Sequence, residues 1–260
     1  CADGSDEVRS QLSTATDQLA TAPDLVIWGE GVLTGPTPKA AGAKLTALGP
    51  LQAPLLVGIT SPAADGEFFN RNVLLDRDGE VLGAYTKRQP VPFGEYVPAR
   101  DRLGRLHEVG RLVPNDMRRG TIKDPLPLGE VQLGTVSSWE VTFSRLVRDV
   151  APDSHVLATL TTQATYGRSS VSDQLLRAAE LRAAEHQRSV IVAATTGRSA
   201  VIRPDGTRGP MTALYAADAL TASVELRHGR TPFSRVGDLP VALSALVAVL
   251  LGRRKAAPQG

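Results

Sequence analysis

The run VQLGTVSSWEV, from Val131 to Val141, changes character halfway along. Val131–Ser137 is free of charge, lacks a helical period and has the length of a strand, so it reads as a β-strand buried on both faces. Ser137-Ser138 ends it. Trp139-Glu140 then opens a helix, and Phe143–Val150 carries a helical pattern. A buried strand feeding directly into a helix is the repeating step of α/β architecture.

The alternation extends in both directions. Leu25–Trp28, Leu55–Thr60, His155–Leu160 and Val190–Ala194 are further apolar runs expected as buried strands, and Asp6–Ala20, Lys39–Leu48 and Ser172–Arg188 carry helical patterns. Two hairpins are expected, Asn72–Thr86 turning at Asp78-Gly79 and Ser199–Met211 turning at Asp205-Gly206. Helices alternating with strands, plus hairpins, predict a mixed α/β sheet in a single domain, with no internal repeat. Arg100–Asp124 has no clear period and reads as a long surface excursion of the kind that forms a lid or binding loop.

Composition narrows the function classes. The chain has 260 residues, 42% hydrophobic, which is enough for one large core or two small ones. Its net charge of +2 comes from scattered basic residues with no stripe of interleaved aromatics, which argues against nucleic acid as a partner. No initiator Met and no signal peptide are present, so the sequence reads as an excised segment. Cys1 is the single cysteine, so neither an internal disulfide nor a cysteine-rich metal site is available, although a terminal cysteine is also what a lipidated lipoprotein carries. His107, His155, His186 and His228 lack metal-ligand spacing, and neither metal nor cofactor is expected.

The carboxyl end differs from the rest. Leu239–Leu251, LPVALSALVAVLL, is apolar and uncharged and is followed by Gly252-Arg253-Arg254-Lys255. As a helix it spans roughly 20 Å, short of a ~30 Å hydrocarbon core. It reads either as a buried or amphipathic terminal helix, or as the start of a membrane span whose basic flank lies on the cytoplasmic side. The chain divides accordingly into residues 1–238 and an apolar segment, 239–260.

Three positions share a placement suited to chemistry. Glu30 ends the strand run LVIWGE, with Gly29 before it to let the backbone bend, at the sheet edge where α/β proteins build sites. Lys87 follows the strand Val81–Tyr85 and opens a proline-stiffened loop, KRQPVPFGEYVP, which also holds Glu95. Ser138 stands at the strand-to-helix turn, where a nucleophile is presented beside helix amides. Each alone has a plainer reading: a solvated turn residue for Glu30, and a helix N-cap for Ser138.

Glu30, Lys87 and Ser138, in that order, resemble the catalytic positions of the nitrilase (carbon–nitrogen hydrolase) superfamily. KRQPVPFGEYVP resembles the signature loop of its apolipoprotein N-acyltransferase branch. SSWEVTFSRLVRD is similar to that branch's nucleophile segment, and TTQATYGRS with QLLRAAELRAAEHQRSVIVAATTGRSAVIRPDG to its substrate-side segment and helix. The likeness runs from Asp24 to Asp238. It implies an αββα sandwich outside the bacterial cytoplasmic membrane, tethered by membrane helices. It also implies transfer of an acyl chain from a phospholipid to the N-terminal amine of a diacylated lipoprotein through an acyl-enzyme. Glu30 would then be the general base, Lys87 the oxyanion-stabilising cation and Glu95 a supporting carboxylate. Ser138 takes the nucleophile position, with Trp139 and Glu140 where the family has an aromatic residue and an acid.

Three departures accompany the likeness. The family nucleophile is cysteine, whose thiol with a pKa of ~8.5 ionises far more readily than a serine hydroxyl. Gly29 replaces the usual proline before the catalytic Glu, and the expected first strand is missing. Three functions therefore stand open: an N-acyltransferase impaired by Ser138, a catalytically silent paralogue that binds lipid or lipoprotein, and an amidase of the wider superfamily.

Overall fold

The computed structural model describes residues 22–35, 37–47, 51–103, 111 and 113–255, so the helix expected at Asp6–Ala20 lies outside the described residues. The first sheet contains β1 (Val26–Ile27), β2 (Leu33–Thr34), β3 (Leu55–Pro62), β4 (Phe68–Leu75) and β5 (Val81–Thr86). Its path is β1-β3-β4-β5, with β2 also on β3; β1 and β2 run parallel to β3, and β3, β4 and β5 are antiparallel. The second sheet contains β6 (Leu126–Leu128), β7 (Val131–Ser137), β8 (Val156–Thr161), β9 (Val190–Ala194), β10 (Ala200–Ile202) and β11 (Arg208–Met211). Its order is β11-β10-β9-β8-β7-β6, with β7, β8 and β9 parallel.

Side chains alternate across each strand, and both sets are apolar in the central ones. Leu56, Leu74, Leu133, Val156 and Leu160 meet between the sheets. Leu55, Val57, Val73 and Leu75 face the other way, onto Ala41 and Leu45 of helix α1 (Pro38–Thr46). On the far side Val136, Val190 and Val192 pack against α2 (Ser144–Val150) and α3 (Val171–His186) through Val147, Leu176, Ala179 and Ala183. The layers are therefore helix, sheet, sheet, helix. Each large aliphatic side chain buried this way stabilises the fold by about 1.5–3 kcal/mol.

Both expected hairpins are present, β4–β5 and β10–β11. At the first, Gly79 takes φ +81°, and Asp76 Oδ1 accepts the N–H groups of Asp78 and Glu80 at 2.9 and 2.8 Å. A side chain at Gly79 would be strained by that φ and would press on Thr46 of α1.

Several details differ from the sequence reading. Leu25–Trp28 shrinks to the two-residue β1, half-buried, because among the described residues it lies at the sheet edge and pairs only with β3. A cavity of about 200 Å³ runs along that edge, lined by Leu25, Ile27, Ile191, Val201, Leu220 and Val224; Glu30, Lys87 and Ser138 are not among its walls. Gly29 is not the bend: Gly31 is, at φ +69°. Gly29 instead permits close contact, since a Cβ there would stand 2.8 Å from the Thr195 backbone nitrogen. The helix opened by Trp139 is a single 3-10 turn, Ser138–Thr142; Phe143 is extended before α2 begins. α3 stops at His186 because Gln187 adopts the left-handed conformation, φ 49°.

The apolar terminus forms α5 (Leu239–Lys255), preceded by α4 (Pro232–Val236). It is neither buried nor amphipathic: Leu239, Val241, Leu243, Leu246, Val247, Val249, Leu250 and Leu251 are 51–73% exposed and surround the helix. α4 fixes its root to the body. Thr231 Oγ1 donates to the Glu185 carbonyl at 2.6 Å, and Ser234 Oγ pairs with His186 Nδ1 at 2.7 Å. Burial, reinforced by Arg182, Arg188 and Arg148, pushes the His186 pKa down to about 4, so the ring is neutral at pH 7.

Candidate active site

Glu30, Lys87 and Glu95 form one buried cluster. Lys87 Nζ donates to Glu95 Oε1 at 2.7 Å and to Glu30 Oε1 at 3.1 Å. Lys87 is 1% exposed and Glu30 4%. Burial works against the ammonium, but the two carboxylates outweigh it, and the Lys87 pKa stands above that of a free lysine. Lys87 is therefore a permanent cation at neutral pH.

The cluster is built by non-local contacts. Asn70 on β4 donates from Nδ2 to Glu30 Oε1 at 2.6 Å and reaches Glu95 Oε1 at 3.4 Å, while its own Oδ1 is buried without a partner. Glu30 Oε2 accepts the Thr162 N–H at 3.0 Å, and the Glu30 N–H points to the Thr161 carbonyl at 3.4 Å. The end of β1 is thus bonded to the end of β8 across the two sheets.

Ser138 lies 9% exposed at the end of β7, with φ +53°. A non-glycine residue in that region costs about 1–3 kcal/mol and persists only where its surroundings fix it. The same strained strand-to-helix turn presents nucleophiles in other hydrolase folds. Ser138 is not the N-cap of its turn; Ser137 is. The Ser138 hydroxyl meets Thr161 Oγ1 at 3.4 Å. Thr161 and Thr162 therefore link it to Glu30, and no direct hydrogen bond joins Ser138 to Glu30 or Lys87 among the described residues.

Glu140 ties the two loops together. Fully buried, it accepts four hydrogen bonds: Tyr85 OH at 2.7 Å and Ser137 N–H at 2.8 Å on Oε2, Arg88 N–H at 2.7 Å and Gln89 N–H at 2.8 Å on Oε1. Burial raises its pKa against the pull of those four donors. Trp139 Nε1 donates to the Gln89 carbonyl at 2.7 Å, and its ring stands edge-on to Phe143, 4.8 Å between centroids. The residues next to Ser138 therefore hold the start of the Lys87 loop.

Prolines are only part of what fixes that loop. Glu95 Oε2 accepts the Val91 N–H at 2.8 Å, and its carbonyl accepts the Met117 N–H at 2.7 Å. Gly120 N–H donates to the Lys87 carbonyl at 2.9 Å, and Asp116 Oδ1 accepts the Val97 N–H at 2.9 Å. The described part of the 100–124 stretch is consequently a brace for the loop rather than a free excursion; residues 104–110 and 112 lie outside the described residues.

Sequence reading missed Asn70, Asn72, Tyr85, Arg88 and Thr161. A signal for two of them was present: in FFNRNVLL, Asn70 and Asn72 fall two apart on one face of a strand whose neighbours are buried. Among the described residues no group of three or more His, Cys, Asp or Glu is placed to hold a metal.

A helix–sheet–sheet–helix sandwich of this kind is the fold shared with solved carbon–nitrogen hydrolases. Residues 18–228 match that family, and the chain belongs to it. Among curated relatives it is 34% identical over 262 residues to the apolipoprotein N-acyltransferase of Mycolicibacterium smegmatis, covering 94% of this chain and 43% of that protein. It is 31% identical over 206 residues to the enzyme of the same name from Chromobacterium violaceum, covering 77% and 40%. For that of Pseudomonas aeruginosa the figures are 30% over 262 residues, covering 95% and 50%. The chain thus spans at most about half the length of these relatives. Among solved structures, a carbon–nitrogen hydrolase from Helicobacter pylori G27 superimposes with a TM-score of 0.60 at 15% identity, over 80% of each chain. An amidase from Nesterenkonia sp. gives 0.57 at 20% identity, over 81% of this chain and 80% of that one. At such identities the likeness is one of fold.

Proposed function

We propose that this chain is the acyl-transferring part of an apolipoprotein N-acyltransferase-like protein, slowed by serine in the nucleophile position. The observation that carries the reading is the buried Glu30–Lys87–Glu95 cluster, joined to Ser138 through Thr161 and Thr162. The relatives named apolipoprotein N-acyltransferase, aligned over up to 95% of the chain, support it. In this reading Ser138 Oγ attacks an ester carbonyl of a phospholipid and Glu30 takes the hydroxyl proton. Lys87 stabilises the oxyanion, and the lysophospholipid leaves with the proton. The N-terminal cysteine amine of a diacylated lipoprotein then attacks the acyl ester on Ser138, forming an amide and restoring the hydroxyl. Glu95 and Asn70 hold Glu30 and Lys87, while Trp139 and Glu140 hold the loop. Incubation with phospholipid vesicles should add the mass of one acyl group to the peptide containing Ser138. A Ser138→Ala protein that gains the same mass would place the adduct elsewhere and end this reading.

One observation favours the silent, lipid-binding alternative: both Glu30 oxygens are already engaged, by Asn70, Lys87 and Thr162, and the Ser138 hydroxyl is turned to Thr161. Binding of vesicles without any adduct would select it.

We also assign residues 239–260 to the membrane, apart from the body at 1–238, with the body on the extracytoplasmic side of the bacterial cytoplasmic membrane. Among the described residues no helix is long and apolar enough to cross a membrane. α5, with 17 residues, has exposed apolar side chains on all sides, and Arg253, Arg254 and Lys255 fall in its last turn. Vesicle flotation should recover the full chain with lipid and leave a chain ending at Asp238 behind. Equal recovery of the two would remove α5 from the membrane.

A further inference from the structure

We propose that Asn72 is a positioning residue, which sets where Ser138 stands relative to the carboxylate–lysine cluster. The inference rests on the reading of Ser138 as the nucleophile position. Main-chain ladders fix each sheet internally, but Glu30 and Lys87 belong to the first sheet and Ser138 to the second. Their separation therefore depends on what crosses between the sheets: the Glu30 N–H to the Thr161 carbonyl, and a set of side chains.

Asn72 is one of these, and it is fully buried. Its Nδ2 donates to Thr135 Oγ1 at 2.8 Å and to the Val136 carbonyl at 3.1 Å, and its Oδ1 faces Ser137 Oγ at 3.5 Å. One amide thus grips the last three residues of β7, directly before Ser138. Directly opposite Asn72 on β5 is Tyr85, whose hydroxyl donates to Glu140, two residues after Ser138. Two neighbouring side chains of the first sheet therefore clamp both flanks of the strained turn. Two residues along the same face of β4, Asn70 grips Glu30 and Glu95. Strand spacing fixes these two asparagines about 7 Å apart. β4 thus serves as a ruler with the charge cluster at one mark and the nucleophile turn at the other. Gly58, opposite Asn72 on β3, lets the backbone around Glu30 pass close, since a Cβ there would stand 2.5 Å from Glu30 Cα.

The positive φ of Ser138 makes this consequential. A residue held in that region relaxes when its surroundings loosen. Losing the Asn72 grip leaves residues 135–137 on their ladder to β8 and on the Ser137–Glu140 bond, but removes their side-chain tie to β4 of the first sheet.

A thiol at position 138 reports the outcome without requiring turnover. In the Ser138→Cys protein, alkylation of the introduced thiol by iodoacetamide is followed against pH by peptide mass spectrometry, which separates it from Cys1. Adding Asn72→Leu, similar in size but without hydrogen bonds, should slow alkylation at pH 7 by ~10-fold and move its midpoint up toward the free-thiol value of ~8.5. Thr135→Val, which removes one of the three contacts and barely alters the volume, should give a smaller shift in the same direction. Val73→Ala serves as the control for stability alone, since Val73 is equally buried but faces the opposite core. It should lower the melting temperature and leave the midpoint in place. An unchanged midpoint in Asn72→Leu, or in Thr135→Val if the first does not fold, overturns the proposal, as does an equal shift in Val73→Ala. If the introduced thiol behaves as an ordinary cysteine even with Asn72 present, the reading of the site fails and this inference falls with it.

Discussion

Ser138→Cys should raise the rate of acyl transfer to a diacylated peptide by ~10²-fold, equivalent to about 2.7 kcal/mol of barrier. The reason lies in how the surrounding groups can activate each nucleophile. The Ser138 hydroxyl must lose its proton to a base as it attacks, and enzymes built on serine usually provide a histidine or lysine for this. Here Lys87 is held as an ammonium by Glu30 and Glu95 and cannot accept a proton at neutral pH. Two of the described histidines are committed elsewhere: His186 bonds Ser234, and His155 Nδ1 accepts the Gln132 N–H at 3.1 Å. The third, His228, stacks edge-on against His155. That leaves Glu30, an intrinsically weak base. A thiol needs much less help, because its pKa of ~8.5 falls further beside a cation. Binding should change little, since one side-chain atom is exchanged. The two forms are compared side by side with phospholipid donor and any missing membrane segments supplied. Equal rates would mean that Glu30 activates serine well and that the weak-base argument is wrong. No reaction in either, with vesicle binding intact, would favour the silent paralogue.

The layers are legible in the sequence because they follow from alternation. β7 and β9 run between the residues expected, Val131–Ser137 and Val190–Ala194, and the two hairpins turn where Asp-Gly pairs stand. Apolar content on both faces of a strand requires a layer on each side, which is a local property of the sequence. What is not legible depends on pairing. The apolar run at β1 suggests burial on both faces, but an edge strand is only half covered, and no pattern within Leu25–Trp28 reveals its place in the sheet. The same holds at the site. Glu30, Lys87 and Ser138 can be named from their strand-end placement. The partners that hold them cannot: Asn70, Asn72 and Thr161 lie 40, 65 and 23 residues away from the groups they touch. The role of Glu140 is equally hidden. As a residue next to a nucleophile it suggests chemistry, yet three of its four hydrogen bonds tie its turn to β5 and the Lys87 loop, and the fourth, from Ser137, caps the turn itself.

Lys87→Met should cost about 3–5 kcal/mol of folding stability, the usual consequence of removing one member of a buried ion pair. Methionine keeps most of the stem volume, so the loss comes from charge. Without the ammonium, Glu30 Oε1 and Glu95 Oε1 share a space in which Asn70 Nδ2 is the remaining donor to both. Glu30 is 4% exposed, so water does little to relieve it, whereas Glu95 at 17% has some access. The double variant Lys87→Met/Glu95→Gln should therefore recover part of the deficit, since it removes one of the two facing charges. The pH dependence has a defined sign. The folded-state pKa of Lys87 is raised, so its contribution is fully present below the unfolded value of ~10.4 and is lost as pH climbs through the folded one. The deficit of the variant should hold constant near neutrality and narrow only in strong alkali. Urea unfolding of the three proteins at pH 7 and at alkaline pH measures all of this. Activity should fall by ~10²–10³-fold as well, if Lys87 faces the oxyanion. A stability loss below about 1 kcal/mol would mean that water already screens the cluster as it would a surface ion pair. In that case Lys87 would not be the enclosed cation on which oxyanion stabilisation depends, and the case for acyl transfer at Ser138 would lose its electrostatic basis.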